Sequence, residues 1–461
     1  AQDGMPVDHE TAELNVLVED TLIAYVGEMM GKYWEPFTDI FGTGTIGIIT
    51  GAYPEDDVGY NSKVAFIDME GNVEEYWAFY DDEGNPYTGN FNLVRDDGNP
   101  PRIACDRTDG GSNYVTGQES TPYLFPDAFG SDGRWEDPFF YDAQVGAIQL
   151  FSLTDDGPDP VTNVFDPIYD GIEGAQNGQQ MRYGGELRFL SNGNFIAVVE
   201  DRTGALGGPD RIPATTLFNG ETGEKIKGPW NGAGDEARHS IWSNVAAFNG
   251  GFCIRAESVF SIYDNDGNLQ YWFNQGEFSS VADTGRGDGS RIAASIDGDY
   301  VYFGGTGPDG MIVLSRFDAV NSTGEELVGV KEVYVNPEEF WDVDVFDRTE
   351  VAVDPNGNVC VIWESIFSSG NDQSIARVLN SDMEPVTPPF YAFANHDSLQ
   401  GEMQGFVSKE PNVSMDENRI VLSADGVNLD ETGALTPEEN PFFTVIENPL
   451  KPEGVGDWTI Y

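Results

Sequence analysis

The residues of this chain best spaced for chemistry are carboxylates. Asp264, Asp266 and Asn268 alternate around Gly267, and their oxygens resemble the opening of a calcium loop. Gln275 stands where an EF-hand would place its bidentate glutamate, and no flanking helix is expected, so the same residues also read as a plain hairpin turn. Asp342, Asp344 and Asp347 form a second acidic run, which a strand's alternation is expected to gather on one face. These six residues are the expected metal ligands. The ion would be calcium, and no cofactor is required.

Other chemistries find less support. His9, His239 and His396 have no second His or Cys at ligand spacing, and no Gly-x-Ser-x-Gly elbow occurs. Paired carboxylates for glycoside hydrolysis are easy to imagine, but among 80 acidic residues a pair carries no information. No catalytic residue is therefore assigned. Trp77, Trp135, Trp230, Trp242, Trp272, Trp341 and Trp363 offer surfaces on which a glycan could stack, but large aromatics inside a repeat more often wedge neighbouring sheets apart.

The elements that must position these side chains announce themselves by repetition. A turn of Asp, Asn and Gly opens into a strand at Asp354-Pro355-Asn356-Gly357-Asn358-Val359-Cys360-Val361, with looser copies around Asn192, Asn249, Asp297 and Asp416. These residues accept the positive φ of tight hairpins, and the β-branched and aromatic residues that follow suit a buried strand. Taking Asn192, Asn249, Asp297, Asp354 and Asp416 as markers, the intervals are 57, 48, 57 and 62 residues. A second hairpin follows most of the first, as at Asp68 to Asn72, Asn219 to Glu224, Asp264 to Asn268 and Asn380 to Glu384. Two hairpins per repeat make a four-stranded blade.

The spacing predicts an all-β protein, a β-propeller with blades near 36–80, 100–166, 182–230, 241–275, 289–336, 348–393 and 405–447. The count is seven, with eight allowed, and a pair of β-sandwiches is the alternative. Residues 1–35 form an N-terminal extension with a strand, for ring closure or subunit contact, and residues 448–461 a C-terminal tail. The run Thr349 to Ser365, continued by Ser374 to Asn380, resembles the repeats of secreted bacterial β-propellers, in which Asp-x-x-Gly-Asn precedes a strand ending in Trp. The Ser-x-Asp-x-Gly-x-Thr-Trp boxes of sialidase-type propellers do not occur.

Composition sets the surroundings. Against 80 acidic residues stand 23 basic ones, a formal charge of −57, which excludes nucleic acid as a partner. The acids are spread along the chain and aromatics make up 12%, so a packed globule with an acidic skin is expected, not a disordered tail. No run approaches the roughly 18 apolar residues that cross a bilayer. The opening Ala1-Gln2-Asp3-Gly4 resembles the stub left by a signal peptidase, which predicts a secreted, extracellular or cell-surface protein. Cys105, Cys253 and Cys360 are expected to be buried free thiols, the last two a blade apart. Long loops at 107–135 and 158–180 are the expected binding surfaces.

Together these features predict a non-catalytic structural or adhesive propeller, a subunit of an extracellular filament, associating with itself through its terminal segments. The alternative is a carbohydrate-active propeller, whether glycosidase, lyase or lectin, with a glycan as partner.

Overall fold

The computed structural model describes residues 22–25, 36–50, 62–69, 71–86, 101–120, 145–165, 179–180, 186–201, 212–234, 244–282, 290–308, 310–336, 345–366, 372–393, 406–429 and 435–451. Its hairpins form because their turns satisfy themselves. In the 354–358 turn one Asp354 oxygen accepts the amides of Asn356 and Asn358, both at 2.8 Å, and the other accepts Asn358 Nδ2 at 2.8 Å. Gly357 supplies the left-handed φ of 80° that a side chain would resist. Asp68 with Asn72, Asp81 with Asn85, and Asp264 with Asn268 repeat this set of bonds. The sequence signal and its physical cause are one motif.

These hairpins assemble into seven antiparallel sheets. Strand β1 (Leu22–Tyr25) precedes blade 1, which contains β2 (Phe37–Ile40), β3 (Ile46–Thr50), β4 (Lys63–Ile67) and β5 (Val73–Trp77). Blade 2 contains β6 (Arg102–Cys105), β7 (Asn113–Ser120), β8 (Val145–Thr154) and β9 (Gly157–Pro160). In blade 3 two short strands, β10 (Gln179–Gln180) and β11 (Glu186–Phe189), share one side of β12 (Phe195–Asp201), followed by β13 (Ile212–Phe218) and β14 (Lys225–Asn231). Blade 4 holds β15 (Asn244–Phe248), β16 (Gly251–Ala256), β17 (Val259–Asp264) and β18 (Leu269–Asn274). Blade 5 holds β19 (Arg291–Ala294), β20 (Tyr300–Thr306), β21 (Ile312–Asp318) and β22 (Lys331–Tyr334). Blade 6 holds β23 (Val345–Val353), β24 (Val359–Ile366), β25 (Asp372–Leu379) and β26 (Phe390–Tyr391). Blade 7 is built of β27 (Phe406–Met415), β28 (Arg419–Leu429), β29 (Leu435–Glu447) and, as its outermost strand, β1, with Leu22 opposite Val445 and Tyr25 opposite Phe442. The expected seven blades are present, and the N-terminal strand completes blade 7 of its own ring.

The apolar core is divided into seven wedges, one between each pair of neighbouring blades, the last packing Ile40, Ile46, Ile48, Ala65 and Ile67 of blade 1 against Val421, Phe443 and Val445 of blade 7. Because both faces of a blade are covered, its middle strands read as continuous apolar runs, such as Val359 to Trp363, all fully buried. Trp363 and the Phe260, Phe273, Phe278, Phe303 and Phe317 group fill wedges, as expected of large aromatics. Cys105, Cys253 and Cys360 are buried and free, in blades 2, 4 and 6. Among the described residues no helix is long and apolar enough to cross a membrane.

The first and third turns of blades 1 to 6 leave from one end of the ring, here the turn face. The second turns and the crossings between blades leave from the other.

Candidate functional site

Each innermost strand has one residue at a matched position near its start, and all but Phe37, which packs in the wedge between blades 1 and 2, are polar. It is the first residue of β2, β6, β11, β15 and β19, and the first after a bulge in β23 and β27. In ring order these are Phe37, Arg102, Glu186, Asn244, Arg291, Glu350 and Asn412. Leaving out Phe37, Arg, Glu and Asn follow one another twice.

The charged members meet across the channel. Arg291 Nε donates to Glu350 Oε1 at 2.6 Å, and its Nη1 lies 3.7 Å from Glu186 Oε1. Those partners belong to blades 6 and 3, so one guanidinium ties together blades that are not all neighbours. Arg188 Nη2 reaches the other Glu186 oxygen at 3.3 Å, and the Arg102 guanidinium sits 3.5 Å from the centre of the Phe37 ring. Burial pushes the Glu350 carboxyl above its ordinary value; Arg291 and Arg102 act against that shift, and Glu186 adds to it. Such a cluster is costly to desolvate, so each charge depends on its partners.

A second layer lies nearer the turn face. One Asp39 oxygen accepts from Arg107 Nε at 2.7 Å and from the Ile40 amide at 2.9 Å; the other accepts from the Cys105 amide at 2.8 Å. Burial drives the Cys105 thiol well above its usual range, which makes it inert as a nucleophile. Between blades 7 and 1, Asn412 Oδ1 accepts from the Thr38 amide at 3.0 Å and Ser414 Oγ donates to the Thr38 carbonyl at 2.7 Å. Asn412, the first residue of a glycosylation sequon, is thus a buried hub residue.

These side chains leave a cavity of about 60 Å³. At roughly 10–15 Å³ per ordered water that is space for about four waters or one small ion. Sites for larger organic ligands run to about 300–1,000 Å³. The hub is plugged against a sugar ring.

A wider concavity, about 620 Å³, opens on the turn face between blades 2 and 3. Asp106, Asp109, Asn113, Asn192, Asn219 and Glu221 line it. Asn113 Nδ2 crosses to the Gly220 carbonyl at 3.0 Å, and Asp106 caps its own turn by accepting Thr108 Oγ1 at 2.7 Å.

The residues expected to hold calcium lie elsewhere. Asp264, Asp266 and Asn268 occupy the β17–β18 turn, where Asp264 accepts the amides of Asp266 (3.0 Å) and Asn268 (2.8 Å), Asn268 Nδ2 (3.0 Å) and Gln270 Nε2 (3.0 Å). Four donors on one carboxylate close the turn without an ion. Asp347 lies in β23 opposite Glu364, its side chain outside the described set, while Asp342 and Asp344 fall outside the described residues. Among the described residues no group of three His, Cys, Asp or Glu is placed to hold a metal. The three histidines, Trp135, Trp242, Trp341 and most of the 107–135 and 158–180 loops also lie outside them. Arg107, at the start of the first loop, is the member that reaches the hub.

The hub set escaped sequence reasoning, although a signal existed. Glu186, Arg291, Glu350 and Asn412 each stand six residues before a turn residue, namely Asn192, Asp297, Asn356 and Asn418.

No protein-family model matches this chain, and no curated protein matches it. Among solved structures it is similar to the Trypanosoma rangeli sialidase in complex with the inhibitor DANA, at 6% identity and a TM-score of 0.42, covering 93% of this chain and 60% of that one. It is also similar to the β-propeller domain of the Trilobed protease from Pyrococcus furiosus (11%, TM-score 0.40, covering 88% and 97%). The WD40 domain of Toxoplasma gondii coronin gives 9%, a TM-score of 0.40 and coverage of 96% and 92%. The chain therefore spans 60% of the sialidase's length. Likenesses this distant carry no argument about activity or ligand, and the propeller assignment rests on the seven sheets themselves.

Proposed function

We propose that this chain is a non-catalytic structural or adhesive propeller of the cell exterior, a subunit of an extracellular filament or surface assembly. The observation that carries this reading is the plugged hub, where Arg102, Glu186, Arg291 and Glu350 face one another and the space left is about 60 Å³. An enzyme needs ionisable groups free to meet a substrate, and the charged groups that face the hub pair with one another. The turn carboxylates of Asp68, Asp81, Asp264 and Asp354 are likewise committed to their own hairpins. Exposed apolar residues that association between copies would use include Val320, Val330 and Tyr334 on blade 5 and Val386 on blade 6.

Electron microscopy of the purified protein at low and high salt, run beside a polysaccharide-hydrolysis panel, tests the reading. Ordered multimers without turnover are expected. Monodisperse single rings that turn over a glycan overturn it. The groove between blades 2 and 3 favours a second reading, a lectin, because its carboxylates and amides suit sugar hydroxyls. Glycan binding abolished by Glu221→Gln, without turnover, identifies that case.

A further inference from the structure

We propose that β1 exchanges between copies, the N-terminal strand of one ring completing blade 7 of the next. The inference deepens the assembly reading above and rests on it, by naming the segment that joins the subunits.

β1 is held differently from every other outermost strand. In blades 1 to 6 the outermost strands β5, β9, β14, β18, β22 and β26 each follow their neighbour directly in the chain, so a turn or loop ties each to its sheet. β1 has no such tie, because it reaches β29 from the far end of the chain. Its described pairing covers four residues, from Leu22 opposite Val445 to Tyr25 opposite Phe442. On the other side of β29, β28 pairs from Arg419 opposite Glu447 to Leu429 opposite Leu435. Main-chain pairing over the shorter run is all that these contacts offer to keep β1 in place.

The ring closes without β1. The wedge between blades 7 and 1 draws its described members from β2, β3, β4, β28 and β29. The bonds of that joint run from Thr38 to Asn412 and Ser414, from Ser423 to the Pro36 carbonyl and from Arg419 to the Gly44 carbonyl. None of these contacts involves β1, so its departure leaves the joint intact and bares one edge of β29. A bare edge is a template for another strand, and the same strand from a second copy restores the same pairing. Exchange of an identical element is for that reason a low-cost route to association.

The tether has the reach. Residues 26–35 join β1 to Pro36, and at about 3.3 Å per residue they span up to about 33 Å. Within blade 7, β1 lies three strand spacings, about 14 Å, from β27, beside which Thr38 of β2 is bonded. The remaining length reaches the matching edge of a copy lying alongside. A short tether keeps its own strand at a local concentration of millimolar order, so closed rings prevail in dilute protein and exchange takes over as copies crowd. Each donated strand vacates a slot for a third copy, and such head-to-tail contact grows into a filament wherever it does not close.

A Tyr25→Cys, Phe442→Cys variant puts thiols on opposed residues, to be bridged by a short bis-maleimide while the three native cysteines stay buried. Bridged in dilute solution, it should run as a single chain on a denaturing gel. Bridged after concentration, it should give a ladder of covalent multimers. A second variant does not depend on the cysteine pair folding: Ile23→Pro with Ala24→Pro removes a donor to β29 whichever of the two adjacent residues supplies it. It should keep the circular dichroism of the parent and lose the multimers seen by electron microscopy. Multimers whose bridges stay within single chains, or that persist in the proline variant, overturn exchange and leave the filament reading standing. Single rings at every concentration overturn both.

Discussion

Two joints of the ring combine apolar area and directed bonds in different proportions. Between blades 4 and 5 the wedge contains fourteen buried residues, among them Phe260, Phe273, Phe278, Phe303 and Phe317, with ring centroids 4.9–6.3 Å apart. Between blades 7 and 1 the described wedge has eight, of which Phe443 is the one aromatic, and polar bonds supply the rest. Thr38 meets Asn412 and Ser414, Ser423 Oγ donates to the Pro36 carbonyl at 3.0 Å, and Arg419 reaches the Gly44 carbonyl. The joint between blades 4 and 5 adds this aromatic area to directed bonds of its own, such as Tyr271 Oη to the Ala319 carbonyl at 2.7 Å, whereas the closing joint leans more heavily on its directed bonds, which contribute less but admit one register.

The comparison can be broken by substitution. Phe260→Ala should cost about 3–5 kcal/mol, the usual range for emptying an aromatic site, read by chemical denaturation. A loss below about 1 kcal/mol would mean that the wedge does not hold the ring. Arg291→Met should cost about 3 kcal/mol by removing the hydrogen-bonded partner of the buried Glu350 carboxylate, and adding Glu350→Leu should restore part of it. Asn412→Ala should cost about 1–2 kcal/mol and lower amide-exchange protection in β2 and β27 while β16 to β20 stay unchanged. A uniform fall in protection would show that the closing joint does not open by itself. Asp354→Ala, which removes a turn cap, should cost about 1 kcal/mol.

The smallest expected effect is on pH dependence. Burial raises the folded-state value for Glu350 above its ordinary one, so the folded protein binds that proton more readily than the unfolded chain. Its contribution to stability is fully present below the ordinary carboxylate value and is lost as pH rises through the raised one. Glu350→Gln should therefore show a shallower loss of stability between mildly acidic and neutral pH than the parent protein. Parallel curves would place the titrating group elsewhere.

How much of this was legible in the sequence depends on where each determinant lies. The Asp354 to Asn358 turn could be read directly because the bonds that shape it close within five residues. The blade count followed because each hairpin carries its own copy of that phrase. Trp363 could be expected in a wedge because a strand buried on both faces leaves it nowhere else. Arg291 could not be assigned a partner, since Glu186 and Glu350 lie in other blades and only ring geometry brings them within 4 Å. The carboxylates that drew attention as calcium ligands at Asp264 and Asp266 share their spacing with an ordinary turn, and spacing alone does not separate the two.

The bond from Thr38 to Asn412 joins residues 374 positions apart. During synthesis each blade therefore emerges with one flank covered by its predecessor and the other bare, and the first blade keeps a bare flank until the seventh is made. Sticky half-wedges must persist throughout translation, so the chain's exposure to misassociation is set by the slowest and most distant encounter in the molecule.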